Sequence, residues 1–166
     1  PGSSVSLGTK DAVSNIDVSA MLSKAASTAD RKVLVIGAAK DLTITGDITF
    51  TNSNDVEDHA LAIGAADDFY LRSEYSSQNS ADYDNPDPVN IKYTGSNLGL
   101  GSEDTMRLVN VNIETGGNLA IGTLDELHIG LSDSHSSTFS VGTGGKNSDP
   151  DNVYLVANNL IQVNGL

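Results

Sequence analysis

The sequence predicts an all-β protein, a right-handed parallel β-helix of about six coils with one short α-helix inserted near the N-terminus. Three observations predict this fold. A short phrase recurs six times, its apolar residues alternate with a period of two, and its shortest spacing is about 20 residues. Period-two alternation is typical of strands with one buried face, and a unit of 20 residues is too short for the common helical repeats. We expect a single β-helix domain over residues 1–166.

The recurring phrase consists of two apolar residues that flank one other residue, followed by a glycine. Because glycine accepts positive φ without steric cost, we expect this glycine to form a corner between strands. The two shortest steps between glycines are 21 and 20 residues, so the longer steps carry insertions. The glycines are Gly8, Gly37, Gly64, Gly101, Gly122 and Gly142. The residues expected to face inward are Leu61, Ile63, Leu100, Leu108, Leu119, Ile121, Leu127, Ile129, Val141 and Leu155.

Three insertions interrupt the coils. Residues 18–28 carry one apolar stripe at helical spacing, and Asp17 precedes it as a helix N-cap. Residues 75–88 are polar and contain prolines, which is typical of a projecting loop. Residues 143–150 form a glycine-rich excursion. The helical stripe consists of Val18, Met21, Leu22, Ala25 and Ala26.

Composition and charge restrict the partners and the compartment. The net charge of −13 disfavours nucleic acid and anionic membranes, because both are polyanions. No apolar run approaches 18 residues, so membrane insertion is not expected. The chain has no cysteine and begins with Pro1, which suggests either a processed, exported protein or a trimmed piece of one. We expect an extracellular or cell-surface protein.

Acidic residues recur three positions after the glycine, or after six extra residues in the last copy, and supply the candidate metal ligands. In a parallel β-helix, equivalent corners stack about 4.8 Å apart, so these carboxylates would form a file of like charges. Calcium, which prefers several oxygen ligands, would suit such a file, and so would the acidic loop at 75–88. The structural alternative is that each Asp caps its own corner by binding backbone amides. The candidate calcium ligands are Asp67, Asp104, Asp125 and Asp151 in the file, and Asp82, Asp84 and Asp87 in the loop.

No pattern in the sequence predicts catalysis, so we expect that the protein is not an enzyme and needs no cofactor other than this possible calcium. The three histidines, His59, His128 and His135, lack metal-ligand spacing and are expected to be exposed polar residues. Asp67 and Asp68 are neighbours, and neighbours on a strand point to opposite faces. They therefore do not form an acid–base pair.

The phrase "Leu-x-Ile-Gly…Asp-x-apolar-x-Leu", as at Leu61–Gly64 and Leu119–Gly122, resembles the coils of right-handed parallel β-helices in bacterial surface and secreted proteins. Adhesins and autotransporter passenger regions belong to that group. The resemblance covers most of the chain and concerns the architecture. It implies an extracellular setting with a fibrous or adhesive role, and it transfers no catalytic residue. The chain departs from those passengers in length, because they contain many more coils.

The two ends of the sequence predict the function. The first strand phrase begins at Val5, and coil spacing counted from Asp151 reaches Leu166, so the chain holds close to a whole number of coils. An uncovered coil exposes strand edges and core, and head-to-tail contact between such ends makes a filament. We therefore expect a structural subunit whose partner is itself. The alternatives are a fragment of a larger adhesin and a polysaccharide-binding or polysaccharide-degrading β-helix, each with surface glycans as partners. The predicted interface residues are Val5, Leu7, Leu160, Ile161, Val163 and Leu166.

Overall fold

The computed structural model describes residues 3–7, 14–24, 27–28, 31–52, 59–72, 88–130, 137–142 and 151–164. Several predicted features lie outside these residues. They are the loop at 143–150, the loop at 75–88 except Pro88, the loop residues Asp82, Asp84 and Asp87, and Leu166.

The described residues form seventeen strands and one short helix, α1 (Ser19–Lys24). The first nine strands are β1 (Val5–Leu7), β2 (Ser14–Asp17), β3 (Ser27–Thr28), β4 (Arg31–Ala38), β5 (Leu42–Ile44), β6 (Ile48–Thr51), β7 (Ala60–Ala65), β8 (Phe69–Arg72) and β9 (Val89–Tyr93). The remaining strands are β10 (Asn97–Ser102), β11 (Met106–Val109), β12 (Val111–Thr115), β13 (Leu119–Thr123), β14 (Glu126–Ile129), β15 (Thr138–Ser140), β16 (Val153–Ala157) and β17 (Leu160–Val163).

These strands form three parallel sheets, and successive strands of the chain pass from one sheet to the next. Sheet 1 has the order β1-β5-β8-β11-β14-β17, and sheet 3 has the order β15-β12-β9-β6-β2. Sheet 2 has the order β16-β13-β10-β7-β4-β3, in which the two-residue strand β3 alone is antiparallel. Each strand therefore pairs with the strand one coil later. This arrangement confirms the all-β parallel β-helix with one short helix, while its right-handed winding stays a prediction.

The core is a column of apolar side chains enclosed by the three sheets. Along each strand, buried and less buried residues alternate, as in Leu119–Thr123 and Val89–Tyr93. Register keeps like residues in line, so that Leu98 pairs with Leu119 and Leu100 with Ile121. Val141 and Leu155 are partly buried against the column, and the other eight predicted inward-facing residues are buried. The predicted inward face is thus confirmed.

The copies of the glycine phrase were expected to occupy equivalent positions in successive coils, but two of them lie in other sheets than the remaining four. Gly37, Gly64, Gly101 and Gly122 align in sheet 2, as expected for equivalent positions. The first copy, however, is β1 in sheet 1, and the last copy forms β15 in sheet 3. The reason is that apolar alternation is the same on all three faces, so the phrase alone does not identify a face.

The predicted role of glycine as a corner residue is wrong for those four aligned glycines. They lie inside β4, β7, β10 and β13, and positive φ among the described glycines occurs only at Gly130 and Gly142. The chain turns two to three residues later, for example at Glu103 and Asp104. Backbone conformation therefore does not explain the four strand glycines.

The N-terminal insertion is helical over a shorter range than the predicted 18–28. Helix α1 spans Ser19–Lys24, and the chain is extended again in β3. Asp17 accepts a hydrogen bond from the Ser19 backbone N–H at 2.9 Å, which agrees with its predicted capping role. Of the predicted stripe, Val18 is buried and Met21 is exposed, while the side chains of Leu22, Ala25 and Ala26 lie outside the described part of the structure. Helix α1 contacts β4.

Candidate assembly surface and acidic corner

The end of the column formed by β15, β16 and β17, here called the β17 end, exposes residues that occupy core positions. Ile161 pairs with Leu127 in the previous coil, and Val163 pairs with Ile129. Leu127 and Ile129 are each 0% exposed, whereas Ile161 is 43% and Val163 is 41% exposed. Because the residue types and the register match, the difference comes from the absence of a following strand among the described residues.

Sheets 2 and 3 also expose apolar core positions at the β17 end. In sheet 2, Val153 follows the fully buried Leu119 in its column but is 38% exposed. An apolar cleft of about 420 Å³ opens between sheets 2 and 3 at this end. It is lined by Ser137, Thr138, Phe139, Val153 and Leu155. This end therefore offers both apolar side chains and an unfilled apolar space.

The opposite end, here called the β1 end, is formed by β1, β2, the β3–β4 pair and α1. Val5 and Leu7 pair with the buried Leu42 and Ile44, and Val5 is exposed while Leu7 is half-buried. Strand β3 pairs with β4 only at Arg31 and Lys32. Beyond that pair, β4 has β7 on one side and no other described strand on the remaining side.

The structure locates five of the six predicted interface residues at these two ends. Val5, Leu7, Ile161 and Val163 all stand in inward-facing columns. Leu160 pairs with the half-buried Glu126, so it belongs to the outward-facing set. The side-chain alternation along β17 thus separates Leu160 from the other members.

The predicted acidic file is shorter than expected and lies at the corner between sheets 2 and 1. Its equivalent positions, in coil order, are Lys40, Asp67, Asp104, Asp125 and Asn159. The Asp104 N–H donates to the Asp67 carbonyl at 3.2 Å, and the Asn159 N–H donates to the Asp125 carbonyl at 3.1 Å. The Asn159 side-chain amide also donates to the Asp125 carboxylate. The file therefore contains three aspartates, with a lysine at one end and an asparagine at the other.

Asp151 is not a member of this file, which corrects the predicted register of the last coil. It stands two residues before β16, at the corner where the chain enters sheet 2. A Cβ placed at Gly142 would come within 2.5 Å of the Asp151 carboxylate. The six extra residues in the last copy of the phrase misled the count, because that copy belongs to sheet 3.

Three carboxylates converge at the acidic corner. One carboxylate oxygen from each of Asp67, Asp68 and Asp104 lies within 4.8 Å of the others. The expected separation of Asp67 from Asp68 is wrong here, since both residues belong to the corner, where strand alternation ends. The Asp68 carboxylate is also engaged with protein groups, accepting from the Tyr70 hydroxyl at 2.6 Å and from the Thr105 N–H at 3.1 Å.

Two side chains at this corner, Asp104 and Tyr70, have raised pKa values. A hydrogen bond shared with the Asp125 carboxyl raises the pKa of Asp104 above its ordinary value of 3.8, and desolvation and the negative charge of Asp68 raise it further. Burial and the hydrogen bond to Asp68 raise the pKa of Tyr70 to about 12. The arrangement offers oxygen ligands to a hard cation such as calcium. Exposed acidic groups are also common without one, so calcium binding stays a prediction.

The histidines differ from their predicted exposure. His59 is buried, and its Nδ1 has no hydrogen-bond partner among the described residues. The His128 ring lies on the outer face of sheet 1, 3.0 Å from the Glu126 carboxylate and 3.2 Å from the Gln162 side-chain oxygen. His135 lies outside the described residues. The two described histidines thus occupy separate places, His59 immediately before β7 and His128 within β14.

The outer face of sheet 2 is a feature that the sequence analysis missed. A shallow apolar groove of about 620 Å³ runs across β4, β7, β10, β13 and β16. Its floor consists of glycines and alanines, and Val35, Tyr154 and Val156 are exposed along it. The signal was present in the sequence, since the residues between the inward-facing ones in β7, β10 and β13 are all Gly or Ala.

Comparison with known proteins gives no relative from which a function could be transferred: no family model, no curated protein and no solved structure matches this chain. Among the described residues, no helix has both the length and the apolar character needed to cross a bilayer.

Proposed function

We propose that this protein is a non-enzymatic extracellular structural subunit that stacks head to tail into a β-helical filament. The observation that supports it most strongly is the exposure of core-position residues at the β17 end. Ile161, Val163 and Val153 are each about 40% exposed, although the residues before them in the same columns are fully buried. A further coil on this end would bury them as their predecessors are buried.

The register of the columns specifies how the β1 end of a second subunit would continue them. Val5 stands in the column of Leu42, Phe69, Met106 and Leu127, which ends at Ile161. Ile161 would therefore pair with Val5 of the next subunit. By the same columns, Val163 would pair with Leu7, Val153 with Leu34, and Val141 with Ile16 of the next subunit.

Sheet 2 has room for this continuation. Strand β3 occupies the edge of β4 at Arg31 and Lys32, whereas the columns direct β16 to Leu34–Ala38 of the next subunit. The two pairings use different residues of β4. Stacking would therefore not require β3 to leave its place, although α1, which contacts β4, must also be accommodated at this junction.

Apolar burial alone would not hold two subunits together. Covering the exposed part of one such side chain is worth about 1 kcal/mol. Association costs about 4–15 kcal/mol, which a few such side chains do not clearly exceed. Continued backbone pairing in all three sheets adds hydrogen bonds to the junction and aligns it. Stacking therefore requires that strands of one subunit pair in parallel with strands of the next, because apolar contact between the ends is too weak alone.

A pair of substitutions on β17 tests the proposal. Ile161→Asp introduces a charge at an inward-facing position of the junction, and Leu160→Asp introduces the same charge one residue away on the outward-facing side. We expect filaments in electron micrographs of the wild type and of Leu160→Asp, and discrete particles for Ile161→Asp. Filaments of Ile161→Asp as long as those of the wild type would overturn the proposal, as would a wild type that stays monomeric at high concentration.

The alternatives differ in what the monomer does. A fragment of an adhesin would remain monomeric in solution and bind a glycan-bearing surface, and a polysaccharide enzyme would cleave its substrate as a monomer. Glycan-array binding and polysaccharide cleavage by the Ile161→Asp variant would therefore favour these alternatives. Calcium remains a separate prediction, because stacking does not depend on the acidic corner.

A further inference from the structure

The groove on the outer face of sheet 2 lies on the side of the column and runs along it from β4, near the β1 end, to β16 at the β17 end. Its floor is formed by backbone and by small side chains at Gly37, Ala62, Gly64, Gly99 and Ala120, among others. Of the described residues that line it, Glu103 alone carries a charge, although the whole chain has a net charge of −13. A solvated side of so acidic a protein would be expected to carry charged and polar side chains.

Packing inside the molecule gives a reason for Gly64 but not for Gly37, Gly101 or Gly122. A Cβ at Gly37 would lie 3.5 Å from its nearest neighbouring atom, and at Gly101 or Gly122 it would lie 3.9 Å away, which are ordinary contacts. Gly64 is tighter, at 3.0 Å from the Gly101 carbonyl oxygen. None of the four has positive φ. Glycine weakens a strand, and where neither conformation nor internal packing requires it, it often marks close approach by another backbone.

The area of this face determines whether contact between two copies of it would be stable. Five strands of about five residues cover roughly 24 Å by 17 Å, or about 400 Å² on each partner. A pair of single subunits would bury about 800 Å² in total, below the roughly 1,000 Å² expected of a specific interface. In a stacked filament the same face repeats in every subunit, so the buried area grows with filament length.

We propose that the sheet 2 groove is a lateral interface, through which two filaments of this protein pair face to face. The occupant is a second copy of the same face. Two uncharged floors of glycine and alanine can approach more closely than the roughly 10 Å of ordinary stacked sheets. Such contact between identical patches is isologous, so it closes after two filaments and leaves the acidic outer sides facing water. This inference rests on the proposed stacking.

Electron microscopy of three proteins tests the inference. Wild-type filaments should have twice the width of a single column. Ala120→Glu introduces a charge into the exposed floor of the groove and should give filaments of half that width and of normal length. Ser140→Glu introduces the same charge on the exposed outer face of sheet 3 and should leave the double width unchanged. The Ile161→Asp variant should sediment as a monomer, without face-to-face dimers.

The outcomes separate the two proposals. Wild-type filaments of single width would overturn lateral pairing and leave stacking intact, and so would double filaments that persist in Ala120→Glu. Absence of filaments under all conditions would overturn stacking and, with it, this inference. Single filaments that recruit a different protein onto the groove would assign the face to another partner and likewise overturn pairing between copies.

Discussion

The coil that ends in β14 and the coil that ends in β17 carry the same inward pattern but experience different surroundings. Leu127 and Ile129 are sealed within the column, whereas Ile161 and Val163 at the same positions one coil later are partly open to solvent. Residue type and strand geometry are nearly constant between them. Burial in this fold is therefore supplied by the next coil, so each coil depends on a neighbour on both sides.

The same substitution made in both coils should have very different effects on stability. Leu127→Asp should lower the free energy of unfolding by about 3–5 kcal/mol, because it places an unpaired charge in a sealed column. Ile161→Asp should cost about 1 kcal/mol or less in the monomer, since solvent reaches that position. Urea unfolding at low protein concentration measures both. Equal losses in the two variants would contradict the difference between the coils.

A second test uses protein concentration in place of mutation. If a following subunit supplies the missing coil, assembly stabilises the folded state by mass action. The unfolding midpoint of the wild type should then rise with protein concentration, while the midpoint of Ile161→Asp should stay constant. Differential scanning calorimetry over a hundredfold range of concentration checks this. A wild-type midpoint that does not change with concentration would argue against end-to-end burial.

Substitution at the acidic corner should have a smaller effect, because it concerns charge and leaves the column intact. The folded pKa of Asp104 is raised above 3.8, so its ionisation disfavours the folded state. This penalty is absent below pH 3.8 and is fully present once the pH exceeds the raised pKa. Asp104→Asn should therefore melt at a higher temperature than the wild type, by a difference that grows across that window and then stays level.

Glu103→Gln is the matched control for that experiment, since it removes an exposed acid one residue away from the three converging carboxylates. We expect it to follow the wild-type dependence of melting temperature on pH. A difference between Asp104→Asn and the wild type that shrinks as the pH rises would have the wrong sign for a raised pKa. Such a result would mean that Asp104 is stabilised as the anion.

Calcium provides the last and smallest test. Binding at the corner of Asp67, Asp68 and Asp104 should raise the melting temperature at millimolar calcium relative to a chelated sample. Asp104→Asn should lose that rise, while Asp151→Asn should retain it, because Asp151 lies at another corner. An unchanged melting curve would leave these carboxylates as corner residues that bind backbone amides and water.

The sequence predicted those features that depend on alternation and repetition. The parallel β-helix and the inward-facing residues from Leu61 to Leu155 followed from a period of two maintained over many strands. The faces of two phrase copies did not follow, because apolar alternation is the same in all three sheets. Only the full pairing pattern assigns Phe139 and Ser140 to sheet 3 and removes Asp151 from the acidic file.

Of the candidate sites, the residues at the two ends could be predicted from the sequence, and the groove on sheet 2 could not. Val5, Leu7, Ile161 and Val163 could be assigned to the two ends because they belong to the first and last strands in sequence order. The groove on sheet 2 escaped notice, since each glycine was interpreted as a local corner. The groove can be recognised only when Gly37, Gly64, Gly101 and Gly122 are seen side by side on one outer face. That alignment depends on the register between coils.

The register of the junction can be tested most directly with introduced cysteines, because the natural chain has none. Ser6 and Gln162 face outward on β1 and β17, at opposite edges of the six-stranded sheet 1 and therefore about 24 Å apart within one subunit. Across the proposed junction they would be about 4.8 Å apart, which is within disulfide range. Thr43 lies one coil further in, so the pair Thr43→Cys with Gln162→Cys would be about 10 Å apart and beyond that range.

Mild oxidation followed by denaturing electrophoresis is therefore the decisive measurement. In-register stacking should give a ladder of covalent oligomers for Ser6→Cys with Gln162→Cys, and monomers for Thr43→Cys with Gln162→Cys. Monomers in both cases, or equal ladders in both, would contradict in-register stacking of one subunit on the next.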